Sequence, residues 1–340
     1  MRLFLIGVIL LLCQTGIAQE FSLKLIEPAT SASFRALSVV DDKNAWVSGT
    51  QGYVGRSQDG GETWNFIQVP GFEKFDFRSL YAFSDRKAVI ANAGSPANIL
   101  LTDDGGKTWK TVYTNSDTAA FFDGVDFWNN DDGIIYGDPI NDRMLLLRTS
   151  DGGLSWKESE EGKRPLMNRG EASFAASGTN IRCSGSSDVM IATGGLTSRL
   201  WHSNDKGNSW RSITVPILQG EPTTGIFSFW RRNNHIIVVG GNYLQDTVSI
   251  KHVFSSTDKG KSWNFPNAPT RGYRECVERV DDKIFLAAGP AGIDLSRDDG
   301  RTWKPFSDEK YFHVVRRARK GSVIILAGGK GKLAILKKEN

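Results

Sequence analysis

Cysteine, histidine and methionine are scarce in this chain of 340 residues, at three, four and four. Cys13 lies in the apolar N-terminal run, so Cys183 and Cys276 alone remain for a mature protein. They fall in repeat units that are not neighbours, which speaks against a disulfide framework and for two buried thiols. His202, His235, His252 and His313 form no i,i+4 pair and have no cysteine at ligand spacing, so no metal is expected. Past the first twelve residues no apolar run is long enough to span a membrane. Helical periodicity, a Gly-x-Ser-x-Gly elbow and a Walker loop are all missing. Gly329-Lys-Gly-Lys-Leu-Ala334 mimics a dinucleotide fingerprint, but six residues follow it, too few for the helix and strand that give the motif meaning. No cofactor is expected.

Glycine (36) and tryptophan (10) are plentiful, and much of both sits in one recurring phrase. It runs Ser57–Trp64, Thr102–Trp109, Thr149–Trp156, Ser203–Trp210, Ser256–Trp263 and Ser296–Trp303, always [Ser/Thr]-x-Asp-x-Gly-x-[Ser/Thr]-Trp. The tryptophans are 45, 47, 54, 53 and 40 residues apart, the period of one supersecondary unit stacked repeatedly. The residue types describe a tight hairpin. Glycine supplies positive φ, the aspartate accepts from the turn's own amides, and the tryptophan opens the next strand and wedges between sheets. Six aspartates one per unit would lie far apart in a ring, so Asp59, Asp104, Asp151, Asp205, Asp258 and Asp298 read as structural. The phrase resembles the Asp-box repeat of bacterial neuraminidases, sortilins and the photosystem II assembly-factor propellers. That resemblance implies a β-propeller whose boxes are structural turns on the face away from the binding site.

Four short β-rich runs recur per unit, as in Phe34–Val40, Asn44–Gly49, Gly52–Arg56 and Trp64–Val69. After the last box only three runs remain, while Phe21–Ile26 stands alone at the other end. Pairing that orphan into the last unit closes the ring and leaves no open edge. The expected fold is therefore an all-β, seven-bladed propeller over 19–340, with a six-bladed ring as the alternative. Residues 1–18 read as a signal peptide cut near Ala18. The protein is thus expected to be exported, to the periplasm or beyond, and Leu12 before Cys13 is a poor fit to a lipoprotein site. It is expected to be monomeric.

Polar residues recur where innermost strands begin: Arg35, Arg78, Asp123, Thr224, Arg274 and His313. Arg35, Arg78 and Arg274 each follow an aromatic, so the three are expected at one channel mouth. There they would form an anion site with Asp123 and Glu171 nearby, or else pair with local acids. Gly137–Arg143, Asn168–Ile181 and Thr223–Ser228 rewrite the template, and extra sequence on a repeat scaffold tends to lie on the binding face. A basic tail (Arg316, Arg317, Arg319, Lys320, Lys330, Lys332, Lys337, Lys338) favours an acidic partner or glycan over nucleic acid. The leading reading is a non-catalytic binding or assembly-factor propeller. The alternative is a sialidase-like glycoside hydrolase, for which Tyr273 and Glu171 would be the reactive pair.

Overall fold

A computed structural model describes residues 21–339 and is almost wholly β, with two short 3-10 turns at Thr50–Gly52 and Glu161–Lys163. The proposed leader, residues 1–18, and Cys13 lie outside the described residues. The strands form seven antiparallel sheets in a ring. Six blades follow chain order from an inner strand outward. The inner strands are Phe34–Val39, Asp76–Ala82, Phe122–Phe127, Ile181–Ser184, Thr224–Arg232 and Cys276–Asp281.

The seventh blade has Phe312–Arg317, Ile324–Gly328 and Leu333–Lys338, and its outer strand comes from the other end of the chain. Phe21–Ile26 pairs with it along its whole length, from Phe21 opposite Lys338 to Ile26 opposite Leu333. Blade five departs from the plan. Its outer strand is reduced to a bridge in which Ser255 and Asn264 exchange hydrogen bonds of 3.0 and 2.8 Å, and Pro266 and Pro269 follow.

The core lies between blades, because each sheet is apolar on both faces. Trp46, Val54 and Ile67 of blade one pack on Phe77, Leu80, Ile90 and Leu100 of blade two, and the other junctions repeat the pattern. Cys183 and Cys276 are both free thiols, Cys276 fully buried and Cys183 half-buried.

Each box builds the same knot. In the third copy Thr149 Oγ1 donates to Asp151 Oδ1 (2.7 Å) and accepts from the Gly153 amide (3.0 Å), while the Ser155 amide donates to Asp151 Oδ1 (3.0 Å). The glycine needs its freedom, at φ 91° in Gly61 and 84° in Gly106. The tryptophans divide. Trp64, Trp210 and Trp263 donate their indole N–H to carbonyls of Gly61, Gly207 and Thr214, whereas those of Trp109, Trp156 and Trp303 are buried without a partner. Apolar wedging is thus the common role, and the hydrogen bond is not.

Two tests follow from this architecture. Removing Phe21–Ile26 uncovers the Leu333–Lys338 edge and should convert a monomeric elution profile into aggregates with earlier melting; a truncated chain that elutes and melts like the parent refutes closure. The second concerns acid. The Ser262 hydroxyl and amide, with Ser256, hold the Asp258 carboxyl down at about 2. A depressed native pKa gives stability that is complete above the unfolded value near 4 and is lost as pH falls from there toward 2. Carboxyl NMR should find Asp258 still ionised at pH 3, and a midpoint near 4 contradicts the knot.

Candidate functional site

The inner strands line the central channel, and a device in the backbone sets what they show at their starts. A register shift consistent with a β-bulge follows Phe34, Phe77, Phe122 and Phe312. Each aromatic is fully buried between blades. The next residue, Arg35, Arg78, Asp123 or His313, is the extra one and is re-aimed by the irregularity. In blade five the corresponding shift falls between Ile226 and Ser228, so Phe227 takes this place.

Arg274 breaks the expected equivalence by one residue. A Cβ on Gly49 or Gly328 would press on the Cα of Phe34 or Phe312, and a Cβ on Gly289 would press on the Cα of Arg274. Arg274 therefore stands in the buried aromatic's place, and Glu275 takes the position of Arg35. A slip of one residue reverses the face a strand side chain reaches. Arg274 is fully buried and ion-paired to Asp294, with its Nη1 donating to the Tyr273 carbonyl (2.7 Å). The mouth ring reads Arg35, Arg78, Asp123, Phe227, Glu275 and His313, with two arginines where three were expected.

Even these two are engaged. Arg78 Nε donates to Asp76 (2.7 Å). Arg35 donates to Glu275 Oε1 (3.4 Å) and to the Ala176 carbonyl (3.2 Å). Buried Glu275 is held down in pKa against its own desolvation by His313 and Arg35. Asp123 is fully buried, and burial together with Asp138 pushes its carboxyl well above the ordinary range, with Arg78 pulling the other way. Glu171 serves elsewhere. It is ion-paired to Arg199 and accepts from Thr193 Oγ1 (2.6 Å), Trp201 Nε1 (3.1 Å) and the Asn168 amide (3.0 Å), pinning the start of the 168–181 insertion to blade four. Tyr273, its nominated partner, is buried and points its hydroxyl at Glu275 (3.4 Å).

The insertion itself fills the channel. Ala176 meets Arg35 of blade one, and a Cβ on Gly178 would sit 3.6 Å from the Arg78 carbonyl of blade two. Asn180 Nδ2 reaches the Asp123 carbonyl of blade three (3.4 Å), and Thr179 donates to Ser228 of blade five (2.6 Å). Ser177 donates to the Glu275 carbonyl of blade six (2.8 Å), and Gly178 O accepts from Arg316 of blade seven (2.7 Å). Running on into blade four at Ile181, six consecutive residues touch every blade. They form a plug.

Beyond the plug the channel opens as a cup of about 620 Å³. It lies at the far ends of the inner strands, the end that also carries the Asp boxes, since inner and third strands run the same way. Its walls carry Arg182, Arg231, Arg232, Arg279, Arg316, Arg317 and Arg319 against Asp126 and Glu278. Several arginines are held by carbonyls, which orient a guanidinium without neutralising it. Arg317 Nη1 donates to Val280 O (3.1 Å), and Arg319 to Ser38 Oγ (2.9 Å) and Ala82 O while lying 4.4 Å over the Tyr81 ring; Arg182 donates to Phe229 O (2.7 Å) but also pairs with Glu278 (3.1 Å). Burial and the neighbouring Arg182 pull the Arg316 pKa down. Arg316, Arg317 and Arg319 were visible in the sequence as tail charge. Arg182, Arg231 and Arg279 were not, because a one-in-seven contribution to a ring has no local spacing.

A profile described as photosynthesis system II assembly factor YCF48 matches residues 17–118. The photosystem II stability/assembly factor HCF136, chloroplastic, of Arabidopsis thaliana is 24% identical over 278 residues, covering 77% of this chain. The chain spans 64% of that relative's length. Among solved structures, one described as YCF48 bound to D1 peptide has a TM-score of 0.68 at 17% identity, covering 94% of this chain and 98% of its own. YCF48 from Cyanidioschyzon merolae gives 0.63 at 17% identity, covering 94% and 99%. The chain resembles photosystem II assembly-factor propellers in sequence and shares their fold.

Arg274 and Arg78 should part company under mutation. Arg274→Ala strands the buried Asp294 carboxylate and should cost about 3–5 kcal/mol in chemical denaturation. Arg78→Ala, a partly exposed pair, should cost less than about 1 kcal/mol. Equal losses would show that Arg274 is not the buried strut described.

Proposed function

We propose that this chain is an exported, non-catalytic assembly-factor propeller that holds an acidic segment of a protein partner in the arginine cup. One observation carries the reading: seven arginines line one recess, and although Arg182 and Arg316 share Glu278, Arg231 pairs with Asp188 and Arg279 with Asp282, Arg317 and Arg319 are held by neutral oxygens. Guanidiniums oriented by carbonyls are preorganised donors for carboxylates, so little side-chain entropy is lost on binding. The recess also focuses the field of these charges, which favours fast capture of an anionic segment. The likeness to assembly factors, one of them described with a bound peptide, supports a protein partner over a glycan. The basic start and apolar run of residues 1–12 support the export part of this reading.

The sialidase-like alternative loses its reactive pair, because Tyr273 and Glu171 are hydrogen-bonded to different partners. The three-arginine carboxylate clamp that it requires does not assemble either, with Arg274 inside blade six.

A fluorescein-labelled peptide rich in Asp and Glu tests the cup by anisotropy. Arg232→Ala/Arg317→Ala, two rim changes, should weaken binding about tenfold or more with an unchanged melting temperature. Affinity should also fall steeply with added salt. Binding that is indifferent to both removes the cup from the function.

A further inference from the structure

The plug does more than close the channel, for it shuts a group of oxygen atoms into the protein with nothing to bond. Asp123 is fully buried and neither carboxylate oxygen has a hydrogen-bond partner. The Ala175 amide leans toward it without reaching hydrogen-bond geometry. Asn180 Oδ1 and Ser173 Oγ are likewise buried and unpartnered. Their surroundings place them together. Asn180 Nδ2 reaches the Asp123 carbonyl (3.4 Å), and its Oδ1 would lie 2.7 Å from a Cβ on Gly124, the next residue. The Ser173 amide donates to Asp138 Oδ1 (2.9 Å). Asp138 in turn acts on the charge of Asp123, and both act on the buried Tyr136 hydroxyl.

An unpaired carboxylate in such a place costs several kcal/mol unless something meets it. Four buried, unsatisfied oxygens from three residues are far more than chance leaves in one corner of a fold. We propose that the side chains of Asp123, Asp138, Ser173 and Asn180 form a site for a hard divalent cation of the calcium class, which pins the plug to blade three. The donor set suits it: two carboxylates, an amide oxygen and a hydroxyl, with no nitrogen or sulfur.

The charges facing the site fit as well. Asp76, Asp123 and Asp138 stand against Arg78, whose Nε is hydrogen-bonded to Asp76, and Asp76 Oδ1 is itself buried and unpartnered. Arg78 therefore leaves net negative charge for a cation to offset. No spacing motif announces such a site, because its donors come from blade three and from an insertion some 35 to 57 residues on. Among the described residues no three acidic, histidine or cysteine side chains come together closely enough to hold a metal by themselves, so the site depends on the amide and hydroxyl oxygens of Asn180 and Ser173.

The experiment is thermal melting of the full mature chain in EDTA and in millimolar calcium chloride, with terbium luminescence excited through Tyr136 as a second readout. Calcium should raise the melting temperature by about 3 °C or more, and terbium should be sensitised and displaced by calcium. Asp123→Asn should abolish both responses while melting at or near the parent in EDTA, since a neutral amide then stands where burial already disfavours a charged carboxyl. Asn180→Ala should weaken calcium by about tenfold or more. A parent chain that melts alike in EDTA and calcium overturns the proposal, and this comparison decides the matter even if a variant fails to fold. So does an Asp123→Asn protein that keeps the full calcium shift, which would move the effect to another site.

Discussion

Every blade depends on two faces being covered at once, and only a closed ring covers all of them. The pairing of Phe21–Ile26 with Leu333–Lys338 is what closes it. Six paired positions joining the first and last strands convert a row of sheets with two wet faces into a cycle with none. The cluster that spans blades six, seven and one, from Cys276 and Leu286 through Val315 and Ile325 to Phe34 and Leu37, takes in Phe21 of the closing strand, with Leu23 and Ile26 packed against it. The register of each inner strand is then fixed from both sides, and with it the direction in which each bulged residue points.

That dependence explains what could be read from the sequence and what could not. The boxes, the blade count and the closing strand are local or arithmetical features, and the phrase from Ser57 to Trp303 carries them in plain view. The mouth ring is a different matter. Phe34-Arg35 and Tyr273-Arg274 look alike as text, but the backbone offset at blade six places Arg274 where Phe34 lies and Glu275 where Arg35 lies. Pairing register decided this, and register is a property of two strands together. Likewise the insertion at 168–181 was recognisable as extra sequence, but a loop on the binding face and a plug across the axis have the same composition.

The boxes are turns, as the likeness to Asp-box propellers implies, and the recess proposed as the binding site lies at the same end as they do. In this chain the boxes and the basic recess open the same way, because the plug occupies the other mouth. The box knots are local and self-contained, with each aspartate bonded within its own turn. Nothing in them obstructs a neighbouring recess, so a scaffold of this kind is free to use either end.

A channel with a floor has one entrance. A polypeptide cannot thread such a vessel from side to side, so only a free chain end or a sharply folded loop can reach Gly178 and the arginine that holds it. A segment bound there, as proposed, would have to leave by the way it came, and a bulky body attached to it would stay outside against the rim. The topology of the hole would thus sort the proposed guests by where their charge lies along the chain, before any side chain is compared.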